Sequence, residues 1–202
     1  MAGAASVPSD ERTMACICVF CGSRSGNDGA HAEAARQLGA TLTAHGHSIV
    51  YGGGSVGLMG ELADAALQLK GHVIGVIPQA LANVELMHDR VVDMRIVPDM
   101  HARKATMHKL ADGYVALPGG YGTLEELFEV LCWAQLEFHQ SPVAMLNLNG
   151  YYDGLISLID NMVQQDFLSQ PYKQLLTSAS SITDLDAWLE RHFGTTATTG
   201  EE

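Results

Sequence analysis

Three glycine-rich stretches each follow a short apolar run: Cys21-Gly22-Ser23-Arg24-Ser25-Gly26, Gly52-Gly53-Gly54-Ser55-Val56-Gly57 and Pro118-Gly119-Gly120-Tyr121-Gly122-Thr123. Glycine allows a sharp turn with positive φ and lets backbone amides approach a ligand without a Cβ in the way. Where a helix then begins, its free N–H groups and partial positive charge favour phosphate. Gly52, Gly54 and Gly57 also match the dinucleotide spacing G-x-G-x-x-G. Such a site wants an acidic residue at the end of the next strand to hold ribose hydroxyls. Here that strand ends in Ile77-Pro78-Gln79, so NAD and FAD are disfavoured.

Charged residues complete the set. Arg103-Lys104 falls in the first turn of an expected helix, where cations oppose the macrodipole and a bound anion would explain them. A solvated helix face is the plain alternative. Thr123-Leu124-Glu125-Glu126 matches a capping box, in which Glu126 bonds the backbone of Thr123. The functional alternative for the same carboxylate is to orient water or stabilise positive charge on a ribose ring as its glycosidic bond breaks.

The elements that must position these groups follow from periodicity. Apolar, β-branched runs at 16–21, 48–51, 72–77, 90–97, 112–117 and 142–148 alternate with helical segments at 29–45, 57–70, 99–111, 121–138, 150–166 and 182–192. This alternation predicts an α/β fold, a Rossmann-like doubly wound parallel sheet in a single domain. Ligands of such sheets bind beyond the carboxyl ends of the strands, where the three glycine turns fall. In the fourth helix Leu124, Leu127, Phe128, Leu131, Gln135 and Phe138 form a stripe expected to face the core. Residues 1–14 and 193–202, small and polar, are expected to be flexible tails around a domain at 15–192.

Composition limits the classes of function. With 202 residues, 47% hydrophobic and 17% charged, the chain suits one packed core. A formal charge of −12 opposes binding to a nucleic-acid backbone, which depends on Lys and Arg. The four cysteines lack a disulfide framework. Cys16-x-Cys18-x-x-Cys21 lies in an apolar run that reads as a buried strand, which disfavours a metal site built on turns. No stretch of about 20 apolar residues suggests a membrane span, and a cytoplasmic location is expected.

Taken together, Pro118-Gly119-Gly120-Tyr121-Gly122-Thr123-Leu124-Glu125-Glu126 resembles the PGGxGTxxE motif of the LONELY GUY phosphoribohydrolases, which activate cytokinins. Met100-His101-Ala102-Arg103-Lys104 is similar to that family's M-x-x-R-K element. Cys21-Gly22-Ser23, Tyr51-Gly52-Gly53-Gly54, Ile77-Pro78 followed by Glu85, and Gly150-Tyr151-Tyr152 extend the resemblance over residues 16 to 168. It implies hydrolysis of N6-substituted adenosine 5′-monophosphates to the free base and ribose 5-phosphate, without metal or cofactor, by a homodimer.

The resemblance implies Arg103 and Glu126 as the catalytic pair. As substrate contacts it implies Gly22, Ser23, Gly53, Gly54, Glu85 and Lys104, then Gly119, Gly120, Tyr121, Gly122, Thr123, Leu124 and Glu125, with the amides and Thr123 on the phosphate. Cys132 stands where many members carry a threonine that lines the site, so a weak thiol donor is expected there. Leu136-Glu137-Phe138-His139 is also less usual, and His139 reads as a surface residue at a helix end. Two other readings are a pyridoxal-phosphate lysine decarboxylase, for which Lys104 would have to form the Schiff base, and a non-catalytic molybdenum-cofactor carrier, which has no role for the Arg103–Glu126 pair.

Overall fold

The apolar run Cys16–Phe20 is strand β1, buried on both faces as a central parallel strand must be. Its pleat sends Ile17, Val19 and Cys21 into one core cluster and Cys18 and Phe20 into the other. The computed structural model describes residues 15–82 and 86–194. The expected tail at 1–14 and most of the one at 193–202 therefore lie outside the described residues. Phe193, expected to open the C-terminal tail, instead closes the last helix and packs edge-on against Trp188.

Helix α1 (Gly29–Ala44), capped by Asp28, leads to β2 (Ser48–Tyr51) and α2 (Gly57–Gln68). β3 (Val73–Pro78), the short α3 (Gln79–Ala82) and β4 (Asp93–Val97) follow. Asp99 then caps α4 (Met100–Leu110), which returns the chain to β5 (Gly113–Ala116) and α5 (Tyr121–Gln135). β6 (Val143–Leu146), α6 (Asp153–Gln164), the short α7 (Gln170–Lys173), β7 (Leu176–Ala179) and α8 (Ile182–Phe193) complete the fold.

The strands form one parallel sheet in the order β4-β3-β2-β1-β5-β6-β7. α1, α2 and α8 bury their apolar residues on one face, and α4, α5 and α6 cover the other. The chain winds outward from β1 to β4 and then restarts at β5 on the opposite side of β1. The turns after β1 and β5 are therefore neighbours at a topological switch point, where doubly wound sheets bind ligands.

Three expectations need correction. β7 was not anticipated, because Leu176-Thr177-Ser178-Ala179 is half polar and sits at a sheet edge, where only one side is paired. The segment expected to be helical from 150 is a tight turn up to Tyr152, with Asn149 and Gly150 at positive φ. α5 stops at Gln135 because Glu137 takes a positive φ of 61°. Its expected core stripe is therefore broken: Leu127 is buried, but Phe128 is 38% and Phe138 73% exposed. His139 caps this end structurally, with Nε2 at 2.9 Å from the Val130 carbonyl and Nδ1 accepting from the Ser141 amide. Among the described residues no helix is long and apolar enough to cross a membrane.

Candidate active site

The first and third glycine turns lock together through backbone alone. The Gly22 amide donates to the Pro118 carbonyl at 3.1 Å, and a Cβ on Gly22 would lie 3.3 Å from Gly119 Cα. The second turn joins them at Gly57, whose φ is +63° and whose missing Cβ would overlap the Ser23–Arg24 peptide at 2.3–2.4 Å. These contacts need the absence of side chains, and they gather three loops around one opening.

That opening has two connected lobes. One, of about 560 Å³, runs between the turns after β1 and β2, the start of α4 and the start of α5. The other, of about 610 Å³, lies between the turn after β1, the third glycine turn, His31 and Tyr151. Gly22, Ser23, Arg24, Gly120 and Tyr121 border both. Each volume is in the range of small-molecule sites.

α5 enters the cleft with its N-terminus. Gly120 is the N-cap and offers no side chain to the first amides, and a Cβ on Gly120 or Gly122 would meet only open space. The amides of Tyr121, Gly122 and Thr123 precede the first helical carbonyl partner, so they remain donors for an anion. The turn is braced from behind: the Tyr151 hydroxyl donates to the Gly119 carbonyl, and the Tyr152 hydroxyl donates to the Leu117 carbonyl at 2.7 Å.

One and a half turns into α5, Glu126 is 7% exposed and its Oε1 has no hydrogen-bond partner. Because Gly120, and not Thr123, caps the helix, the expected capping box is overturned: Thr123 is the third helical residue, and Glu126 Oε1 takes no backbone donor. Arg103 Nη1 lies 3.5 Å from Glu126 Oε1, and Arg103 Nε donates to the Val76 carbonyl at 3.1 Å. β2 pairs with β3 only as far as Tyr51 and Gly75, which leaves the Val76 carbonyl available. Burial pushes the Glu126 carboxyl up to about 7, and Arg103 only partly opposes this.

The second cation behaves differently. Lys104 Nζ donates to Glu125 and, at 3.0 Å, to Glu129 Oε1. Carboxylates of α5 therefore face Arg103 and Lys104, and the Asp99 cap adds a further negative group at this end of α4, so a bound anion is not needed to account for the pair.

The structure brings Gly22, Ser23, Gly54, Arg103, Gly120, Tyr121, Gly122, Thr123, Glu125 and Glu126 to the first lobe and Gly119 to the second. It directs Lys104 toward α5 and packs Leu124 against the core. Gly53 turns its Cβ position toward Ile77 and Met94, and its neighbour Gly52 lines the cleft instead. Cys132 borders a separate cavity of about 270 Å³ with Phe128, Leu131 and Ile159, so it is not part of the cleft. Glu85 lies outside the described residues. Arg24, Gly52, Tyr151 and Glu129 were not among the expected site residues. Glu129, one turn beyond Glu125, was legible as a helical neighbour, but the others depend on loop conformation.

Fold and site define a doubly wound α/β protein with an anion-accepting cleft at the switch point and a buried Arg–Glu pair within it. A family profile described as "Possible lysine decarboxylase" matches residues 59–187. Cytokinin riboside 5′-monophosphate phosphoribohydrolase LOG1 of Arabidopsis thaliana is 48% identical over 174 residues, covering 86% of this chain and 82% of that protein. The probable phosphoribohydrolase LOGL5 of Oryza sativa subsp. japonica is 47% identical, covering 87% and 72%. The chain belongs to this family of cytokinin riboside 5′-monophosphate phosphoribohydrolases.

Among solved structures, the molybdenum cofactor carrier protein of Chlamydomonas reinhardtii superposes with a TM-score of 0.69 at 21% identity, covering 90% of this chain and 99% of that one. The molybdenum cofactor binding protein of Rippkaea orientalis gives 0.65 at 23%, covering 88% and 96%. These show a shared fold. The profile's description suggests pyridoxal phosphate, which the residues do not fit: among the described residues no lysine lines either lobe, and Lys104 is committed to two carboxylates.

Proposed function

We propose that the protein hydrolyses the N-glycosidic bond of adenosine 5′-monophosphates, N6-substituted ones included, releasing the free base and ribose 5-phosphate. The observation that carries this reading is the buried Glu126 carboxylate beside Arg103, on the same helix whose open N-terminus faces the cleft. Glu126 is five residues beyond Tyr121, about 7–8 Å along the axis. The glutamate side chain leans back toward the helix N-terminus, which shortens that separation toward the length of a ribose 5-phosphate. With phosphate on the amides of Tyr121 to Thr123, the anomeric carbon comes within reach of Glu126.

In the reaction the C–N bond breaks, its electron pair leaves with the base, and the base takes up a proton. Ionised Glu126 stabilises the oxocarbenium-like sugar and accepts one proton of the water whose oxygen bonds to the anomeric carbon; solvent relays an equivalent proton to the base, and Glu126 returns to its ionised form. The Arg103 fork orients sugar or phosphate oxygens and keeps part of the Glu126 population ionised. Met59, Ile77, Leu81, Leu86 and Met100 give the first lobe an apolar wall suited to a purine face and a hydrocarbon substituent at N6.

The same reading includes a homodimer, and the net charge of −12 argues against nucleic acid or an anionic membrane surface as a partner. Its cytoplasmic location accords with four free cysteines. The test is to incubate the protein with adenosine and N6-isopentenyladenosine 5′-monophosphates, their nucleosides and their diphosphates, and to identify released bases by chromatography. Monophosphates should react at least about tenfold faster, the factor expected from about 1.4 kcal/mol of phosphate recognition. Equal rates for nucleosides would sink the phosphate cradle. A chelator should leave the rate unchanged.

A further inference from the structure

We propose that Lys104, Glu129 and His108 form a clamp between α4 and α5 that positions Arg103 against Glu126, and that Lys104 acts through this clamp without touching substrate. The proposal rests on Arg103 and Glu126 being the catalytic pair. Lys104 and His108 lie four residues apart on α4, and Glu125 and Glu129 lie four apart on α5, so each pair shares one helix face. These two faces meet. Glu129 divides its oxygens between the helices' contacts: Oε1 takes Lys104 Nζ at 3.0 Å, and Oε2 takes His108 Nε2 at 3.0 Å.

The clamp is shielded from solvent. The side chains of Lys104, His108 and Glu129 are 13%, 9% and 22% exposed, so salt and water weaken their ion pairs less than those of surface pairs. The His108 ring is walled by Trp133 at 4.7 Å and Tyr114 at 5.7 Å between ring centroids, and its Nδ1 is buried without a partner. With Nε2–H donating to Glu129, the imidazole is pinned in one tautomer and one orientation.

Arg103 precedes Lys104 and so projects about 100° away around α4. Fixing Lys104 on α5 sets the rotation of α4, which carries the Arg103 guanidinium to Glu126 and to the Val76 carbonyl. If Lys104 swung into the cleft, Glu125 and Glu129 would face each other one turn apart as uncompensated like charges.

The clamp also sets the field at Glu126. The groups facing that carboxyl are Arg103 and Lys104 from α4, Glu125 and Glu129 from α5, and the thiols of Cys18 and Cys21 from β1. Lys104 favours the ionised carboxylate, and Glu125 and Glu129 oppose it.

The experiment measures kcat and KM for adenosine 5′-monophosphate across pH, and calorimetric binding of ribose 5-phosphate, for Lys104→Met, Glu129→Gln and their combination. Lys104→Met should lower kcat about tenfold, leave KM and ribose 5-phosphate affinity within about twofold, and move the acid limb of kcat/KM up by about half a pH unit. Glu129→Gln, nearly isosteric, should move that limb the other way. The double variant should lose less than the product of the single losses, because the residues act as one unit.

An affinity for ribose 5-phosphate weakened tenfold or more by Lys104→Met would overturn the proposal, since Lys104 would then contact substrate. An acid limb and kcat unmoved in both single variants would overturn it as well. The underlying reading fails separately, if Glu126→Gln retains wild-type turnover.

Discussion

At the scale of single residues, Glu126 carries the most information, because its burial decides both its chemistry and its cost. An unfolded chain returns this carboxyl to the ordinary range near 4.5, whereas the folded protein holds it at about 7. The folded state therefore binds the extra proton between these values. The contribution of this group to stability is highest below the unfolded value and falls as pH rises toward 7. Glu126→Gln removes that penalty, partly offset by the loss of the Arg103 counter-charge. Its melting temperature relative to wild type should be higher at pH 8 than at pH 4.5, as thermal unfolding at the two pH values would measure. Turnover should fall on the order of 10²-fold, as for loss of a general base. A melting difference independent of pH would show that the carboxyl is not shifted, and wild-type turnover would move catalysis to Glu125 or Glu85.

At the scale of elements, the site depends on how closely the glycine turns let strands and helices approach. Gly52 follows β2 directly and lies against Arg103, and a Cβ built there would lie 1.9 Å from Arg103 Nη2. The clash is with the far end of a flexible side chain and not with backbone. Gly52→Ala should therefore fold with a melting temperature within about 3 °C of wild type, a shift of roughly 1 kcal/mol for a chain of this size. It should nevertheless lose tenfold or more in turnover, because the guanidinium must leave Glu126 and the Val76 carbonyl, to which it now bonds at 3.1 Å. Unchanged steady-state kinetics for this variant would show that the Arg103 position is not critical.

At the scale of the whole molecule, the face carrying α5, α6 and α7 leaves large apolar side chains uncovered. Phe128, Leu136, Phe138, Leu158, Phe167 and Tyr172 are 38–86% exposed. Phe128, Phe167 and Tyr172 border one shared cavity, and an apolar cluster of this kind suits a two-fold contact. Cys132 borders this face and is exposed in the single chain. Light scattering at micromolar concentration should report a dimer, and Phe128→Lys should shift it toward monomer. A wild-type monomer under those conditions would refute the dimer.

Hydrophobic periodicity by itself determined the doubly wound sheet, since alternating apolar runs and amphipathic segments have few other ways to bury their faces. The glycine turns and the residues Arg103, Glu125 and Glu126 were legible too, because turn chemistry and helix starts are local. Local rules misled where two local signals competed. The capping box at Thr123 was outweighed by Gly120, whose extended backbone starts the helix three residues earlier. Tertiary structure alone decided the partners: that Arg103 reaches Glu126 while Lys104 reaches Glu129, that Gly52 and not Gly53 faces the cleft, and that Cys132 lies outside it. A partner is set by the rotation and separation of packed helices. Those are properties of the whole core, and no window of sequence contains them.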